Sequence, residues 1–184
     1  MSKERIATII SFVFDPLIEG PVLFVLLFLK STASFWLLPV IILTNAILPT
    51  LFMIYGLRRG FISDWETTNR RERHRLNLFC LLSTIFSLCL VYLFGDAFLL
   101  KLFLVLVTLL SIYTLITFFW KISGHMAANT AFVLLTNLFF GWRFWWLFIL
   151  LPLVGWARLV RHKHDIWQVL GGIILSSSVI LLLI

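Results

Sequence analysis

Two short stretches of this sequence hold residues suited to phosphate chemistry. One is Lys121-Ile122-Ser123-Gly124-His125; the other runs from Arg158 through Arg161, His162 and Lys163 to His164 and Asp165. An earlier stretch is strongly basic, with Arg70, Arg71, Arg73, His74 and Arg75. Arginine donates fork-shaped, charge-assisted hydrogen bonds that match phosphate oxygens. Histidine is the side chain best placed for nucleophilic or acid–base work near neutral pH. Ser123-Gly124-His125 reads as the opening of a helix, where backbone N–H groups and the helix dipole favour an anion. The glycine lets a ligand approach the backbone closely. Phosphoryl transfer needs little more than donors around the equatorial oxygens, an in-line nucleophile and an acid for the leaving oxygen.

The elements that must hold these residues are apolar. The chain has 184 residues, of which 61% are hydrophobic and only 12% charged, with 8 Trp, 19 Phe and a mean hydropathy of +1.06. A soluble domain is about 45–50% apolar and about 25% charged. In water the excess would lie exposed as aggregating patches, which excludes disorder, disulfide scaffolds and ordinary soluble enzymes. Only helices or closed barrels cross lipid, and the apolar runs are continuous rather than alternating, so helices are expected. The expected fold is all-α: a polytopic transmembrane helical bundle of six to seven hydrophobic segments, forming a single integral membrane domain over residues 1–184. Each span requires about 20 apolar residues.

The runs are 6–14, 17–29, 35–57, 76–95, 97–120, 126–140, 144–157 and 166–184. The first ends at Asp15-Pro16 and reads as an interfacial helix or half of a kinked one. No small-residue cleavage site follows it, so no cleavable signal peptide is expected. Cys80 and Cys89 share one run; roughly 13 Å of helix separates them, too far for a disulfide. Trp142, Trp145 and Trp146 flank Arg143 as an interfacial belt would. Asn45, Asn129 and Asn137 lie within apolar runs and are expected to hydrogen-bond between helices.

Three polar stretches interrupt the later runs, at 58–75, 121–125 and 158–165. Two spans separate each from the next, and an even number of crossings returns the chain to the same face. One membrane face is therefore expected to gather the six arginines of the first stretch, Lys121, Arg158, Arg161, Lys163 and the histidines. The net charge of +7 then marks a surface for anionic headgroups or a phosphorylated substrate rather than for nucleic acid. Charge bias points that face toward the cytoplasm.

Taken together and in this order, Arg70-x-x-Arg73, Ser123-Gly124-His125, and Arg158 followed by His164 resemble the type 2 phosphatidic acid phosphatase (PAP2) superfamily. The resemblance covers residues 64–172. That family reads Lys and then Arg-Pro in its first signature, Pro-Ser-Gly-His in its second, and Ser-Arg, His and Asp in its third. The resemblance implies that His164 attacks phosphorus to form a phosphohistidine and that His125 protonates the leaving oxygen. It implies that Arg73, Arg158, Ser123 and the Gly124 N–H hold the phosphoryl oxygens. Lys121, just before the second signature, adds a charge. It implies no metal and no cofactor.

The chain departs from that pattern in several places. Glu66 stands at the first lysine position, so Arg70, one turn before Arg73, is expected to supply that charge. His74 and Ile122 replace the prolines, and Ala157 replaces the serine before Arg158. Gln168 replaces the aspartate that orients the nucleophile. An i, i+4 pair shares a helix face, so the Gln168 amide oxygen can still accept from the His164 ring, though it stabilises an imidazolium less than a carboxylate would. Asp165 is about 100° round the helix and a poorer orienter.

The resemblance thus implies a membrane phosphatase, multi-pass in the cell membrane, that hydrolyses a lipid phosphate or polyprenyl diphosphate among membrane lipids. Its rivals are a catalytically weak or inactive lipid-phosphate binder of the same fold, which Gln168 favours, and a small lipid transporter. A transporter needs polar groups at mid-membrane depth, in which the apolar runs are poor. Simpler readings stand beside individual residues. His162, His164 and Asp165 could be a metal-site fragment, and Arg71 and Arg75 an ordinary cytoplasmic charge cluster. Asp64 and Glu66 are expected to pair with the arginines.

Overall fold

The computed structural model describes residues 2–184, and no strand occurs among them. The α-helices are α1 (Lys3–Val13), α2 (Pro16–Phe28), α3 (Leu37–Ile42), α4 (Leu48–Arg59), α5 (Arg70–Phe94), α6 (Ala97–Phe119), α7 (Gly124–Phe139), α8 (Leu150–Val160) and α9 (Ile166–Leu183). A π-helical turn, Leu43–Ile47, joins α3 to α4, and a 3-10 turn, Trp145–Ile149, leads into α8.

Among the described residues five helical stretches are long and apolar enough to cross a membrane: Lys3–Phe28, Leu37–Arg59, Arg70–Phe94, Ala97–Phe119 and Ile166–Leu183. Large apolar side chains such as Leu82, Tyr92, Phe119 and Leu182 stand open on them, a surface suited to lipid and not to water. The chain is an all-α integral membrane protein. The count corrects the expected six to seven. Residues 6–14 and 17–29 are the two halves of one stretch, bent at Asp15. Run 126–140 becomes α7, whose 16 residues extend only about 24 Å, short of the roughly 30 Å hydrocarbon core. Run 144–157 opens as a 3-10 turn, so Trp145–Val160 is a shorter apolar helix. Between them Gly141 (φ 64°) and Trp142 (φ 61°) turn the chain back.

The chain forms two compact units: Phe24–Trp120, and Met1–Leu23 together with Lys121–Ile184. In the Phe24–Trp120 unit, α5 and α6 pack along each other as a long hairpin. Asp96 caps α6 by accepting from the Leu99 N–H at 2.8 Å. Its other oxygen accepts from the Thr32 N–H at 2.6 Å and the Ser31 hydroxyl at 2.9 Å. Burial acts to raise the Asp96 carboxyl, but the donors from Leu99, Thr32 and Ser31 outweigh it and hold the group below the usual carboxylate range. A π turn displaces carbonyls from the helix ladder, and polar side chains take them up here. Asn45 Nδ2 donates to the Ile41 carbonyl at 3.1 Å and the Ser87 hydroxyl at 2.7 Å. Ser83 donates to the Thr44 carbonyl, and the Thr44 and Ser87 hydroxyls pair at 2.6 Å.

In the second unit α7 is the central helix, buried on nearly every side from His125 to Asn137, as suits a helix with partners all round. α9 lies along it, and α8 packs on α1 and α7. Met126, Val154 and Val169 form the apolar centre, with Ile10, Phe14, Leu159 and Ile173 against it. Gly172 sets how closely α9 approaches α7. A Cβ there would stand 2.6 Å from the Ser123 carbonyl oxygen and 3.0 Å from the Ala127 nitrogen. Ser176, one turn on, donates to the Ala127 carbonyl at 2.7 Å.

Candidate active site

The second and third polar stretches come together at one end of the α7, α8, α9 unit. The Ser123 N–H donates to the Gln168 carbonyl at 3.1 Å, and Lys121 Nζ donates to the Lys163 carbonyl at 3.0 Å. Ser123 is fully buried and caps α7, its hydroxyl accepting from the Met126 N–H at 3.4 Å. An accepting hydroxyl keeps its own proton to donate. Gly124 is the first residue of α7, so the amides of this first turn project from the positive end of a helix dipole.

Arg158 lies near the end of α8 with 1% of its surface exposed. Its Nη1 donates to the Ser11 hydroxyl at 3.4 Å. Burying a guanidinium is costly unless it is hydrogen-bonded and balanced. The chain leaves α8 through His162, which takes the left-handed conformation (φ 50°) in which Asn, Asp and His are enriched among non-glycine residues. The Lys163 N–H then closes onto the Arg158 carbonyl at 3.1 Å. This turn delivers His164 to the mouth of α9.

His164 is buried, and its Nδ1 lies 2.8 Å from Gln168 Oε1. An amide oxygen only accepts, so Nδ1 carries a proton, and in the neutral ring the lone pair is on Nε2. The i, i+4 pairing is present, but its basis differs from the shared helix face expected. His164 precedes the helix, Asp165 is the cap that accepts from the Gln168 N–H at 2.9 Å, and Gln168 reaches back from the first turn. Asp165 is thereby occupied as a helix cap.

His125 packs its ring against Asp15: Nε2 and Oδ2 are 3.4 Å apart, with both side chains about nine-tenths buried. Ser11 lies in the last turn of α1 and Asp15 just past its end, so the residues they hold, Arg158 and His125, meet neighbouring positions on one segment. Glu19 follows a turn later, buried, with neither carboxylate oxygen hydrogen-bonded among the described residues. The sequence reading missed this wall. The available signal was the spacing of Ser11, Asp15 and Glu19, four residues apart in an apolar run; the Asp15-Pro16 pair drew attention as a helix break instead.

No family model, no curated protein and no solved structure matches this chain.

Arg70 and Arg73 belong to the Phe24–Trp120 unit. Arg70 donates to the Phe119 carbonyl at the end of α6, and His74 Nε2 lies 3.2 Å from the Thr117 carbonyl. Arg73 is buried and its Nε donates to the Thr67 carbonyl at 2.7 Å. Asp64 has a different partner set from the arginines expected. It builds the loop, accepting from the Glu66 N–H at 2.9 Å and the Thr68 N–H at 3.1 Å. Among the described residues no three His, Cys, Asp or Glu side chains group as a metal site requires.

The α7, α8, α9 end brings together a histidine paired with an amide, a second histidine beside a carboxylate, a buried guanidinium, and a capped helix start with a buried hydroxyl.

Proposed function

We propose that this chain is a membrane-embedded phosphatase of the type 2 phosphatidic acid phosphatase kind, acting at the cell membrane on a lipid phosphate or polyprenyl diphosphate. The observation that carries the reading is the His164 Nδ1 to Gln168 Oε1 hydrogen bond of 2.8 Å. It leaves an oriented Nε2 lone pair in the turn that follows buried Arg158. His164 Nε2 attacks phosphorus as the bond to the leaving oxygen breaks, and that oxygen takes a proton from His125. Water then attacks the phosphohistidine, the N–P electron pair returns to His164, and the water proton passes to His125. Arg158, the Ser123 hydroxyl, the Gly124 N–H and Lys121 stabilise the charge gathering on the phosphoryl oxygens. A lipid substrate is favoured because the polar residues stand at the ends of apolar helices.

The test is phosphate release from a panel of phosphatidic acid, phosphatidylglycerol phosphate and polyprenyl diphosphate, with His164→Ala as control. Release by the native chain that the control lacks is the expected result. Equal release by both sinks the enzyme reading. Substrate binding with no release by either leaves the non-catalytic lipid-phosphate binder, the reading favoured by an amide in place of a carboxylate at Gln168.

A further inference from the structure

The two histidines of the site have different partners, and the difference is chemical. His164 is held by the neutral amide of Gln168, while His125 faces the carboxylate of Asp15. Asp15 is fixed from two sides. Its Oδ1 accepts from the Leu17 N–H at 2.9 Å and so caps α2. The adjacent Phe14 carbonyl accepts from Asn129 Nδ2 at 3.1 Å, and that same amide donates to the His125 carbonyl at 2.9 Å. The bend between α1 and α2 is thus pinned to the turn of α7 that carries His125, and the remaining carboxylate oxygen is left facing the ring.

We propose that Asp15 is a positioning residue for His125, a role resting on the phosphatase reading above. The carboxylate fixes the ring and stabilises its protonated form, so His125 serves as the acid. Gln168 orients His164 without adding charge, so that ring keeps the lone pair that attacks. Two like groups in unlike surroundings divide into acid and nucleophile in this way. In the first half-reaction the His164–phosphorus bond forms and the phosphorus–oxygen bond of the ester breaks. The ester electron pair goes to the leaving oxygen, and the His125 proton neutralises it as an alcohol. In the second half-reaction water supplies the new oxygen and returns a proton to His125, so the cycle consumes one water and yields alcohol and phosphate.

An acid matters only to a leaving group that needs a proton, and this separates positioning from structure. Asp15→Asn keeps a side-chain oxygen able to cap α2 and removes the charge facing His125. The full-length protein is assayed with two probes of matching tail length, an alkyl phosphate and an alkyl-substituted nitrophenyl phosphate. The nitrophenolate departs without protonation. The readout is the ratio of the two rates in one preparation, which cancels any change in the folded fraction. Release from the alkyl phosphate is expected to fall about tenfold or more while release from the nitrophenyl ester changes by less than about twofold. Asp15→Ser, a second capping residue without charge, gives the same ratio change if Asp15→Asn accumulates poorly. An unchanged ratio in both variants of an otherwise active enzyme overturns this role for Asp15 alone. A native chain that hydrolyses neither probe overturns the phosphatase reading and this role with it.

Discussion

Both compact units bury polar side chains inside apolar helices, but they use them differently. In the Phe24–Trp120 unit the Thr44, Asn45, Ser83 and Ser87 groups bond to one another and to carbonyls loosened by the π turn. Such a cluster has spent its donors on the fold. That unit also buries one guanidinium, Arg73, whereas the other unit gathers the ionisable groups His125, Arg158 and His164. Asp15, Ser11 and Gln168 are among their partners, respectively. Hydroxyls and amides that answer each other lock helices together. Ionisable groups can instead serve proton transfer and anion binding. The contrast also bears on the transporter reading, because the polar groups at the π turn of the Leu37–Arg59 span are engaged with its own carbonyls and with Ser83 and Ser87 of α5.

Substitutions in the two units should therefore separate activity from stability. The largest effect is expected at Arg158. Arg158→Lys keeps the charge but loses the planar fork, and phosphate release should fall roughly 100-fold in protein that still elutes as a monodisperse peak. Unchanged release would remove Arg158 from the phosphate-binding set. Next is Gly172→Ala. Its Cβ would collide with the Ser123 carbonyl, so α9 must move away from the start of α7. A loss of about 1–3 kcal/mol in detergent unfolding is expected, together with reduced phosphate release, because Ser123 and Gln168 are joined across that contact.

Gln168→Glu acts in the opposite direction. A charged partner is worth about 1 kcal/mol more than a neutral one, so phosphate release should rise roughly fivefold. Turnover that stays level or drops would weaken Gln168 as the orienter of His164. The smallest effect belongs to the other unit. Ser87→Ala removes a hydroxyl that Thr44 and Asn45 share and should cost about 0.6 kcal/mol in unfolding while leaving phosphate release unaltered. A loss of release there would erase the contrast between the two clusters.

Much of this was legible in the sequence, and the exceptions have physical causes. Helical, membrane-spanning character follows from unbroken apolar runs that offer lipid no unpaired backbone. Gln168 could be placed against His164 because four residues is one turn, even though the pair meets at a helix entrance. The span count was not legible. Run 126–140 is as apolar as its neighbours to the eye, yet it folds as a short helix buried among others rather than in lipid. The N-terminal wall was hidden for a different reason. Phe14 meets Asn129 across 115 residues and Ser11 meets Arg158 across 147, and contacts that distant leave no local periodicity. Asp64 shows the same limit at short range: a carboxylate among arginines suggests ion pairs, but nearby backbone N–H groups claimed it.

The central claim is that His164 carries the phosphoryl group in transit, and it can be met directly. The purified chain is mixed with each lipid phosphate of the panel, quenched in alkali to preserve phosphohistidine, and digested for peptide mass analysis. The account predicts a phosphoryl mass on the peptide containing His164, absent from His164→Ala. Phosphate release without any phosphohistidine, or with the phosphoryl group on His125, would contradict it.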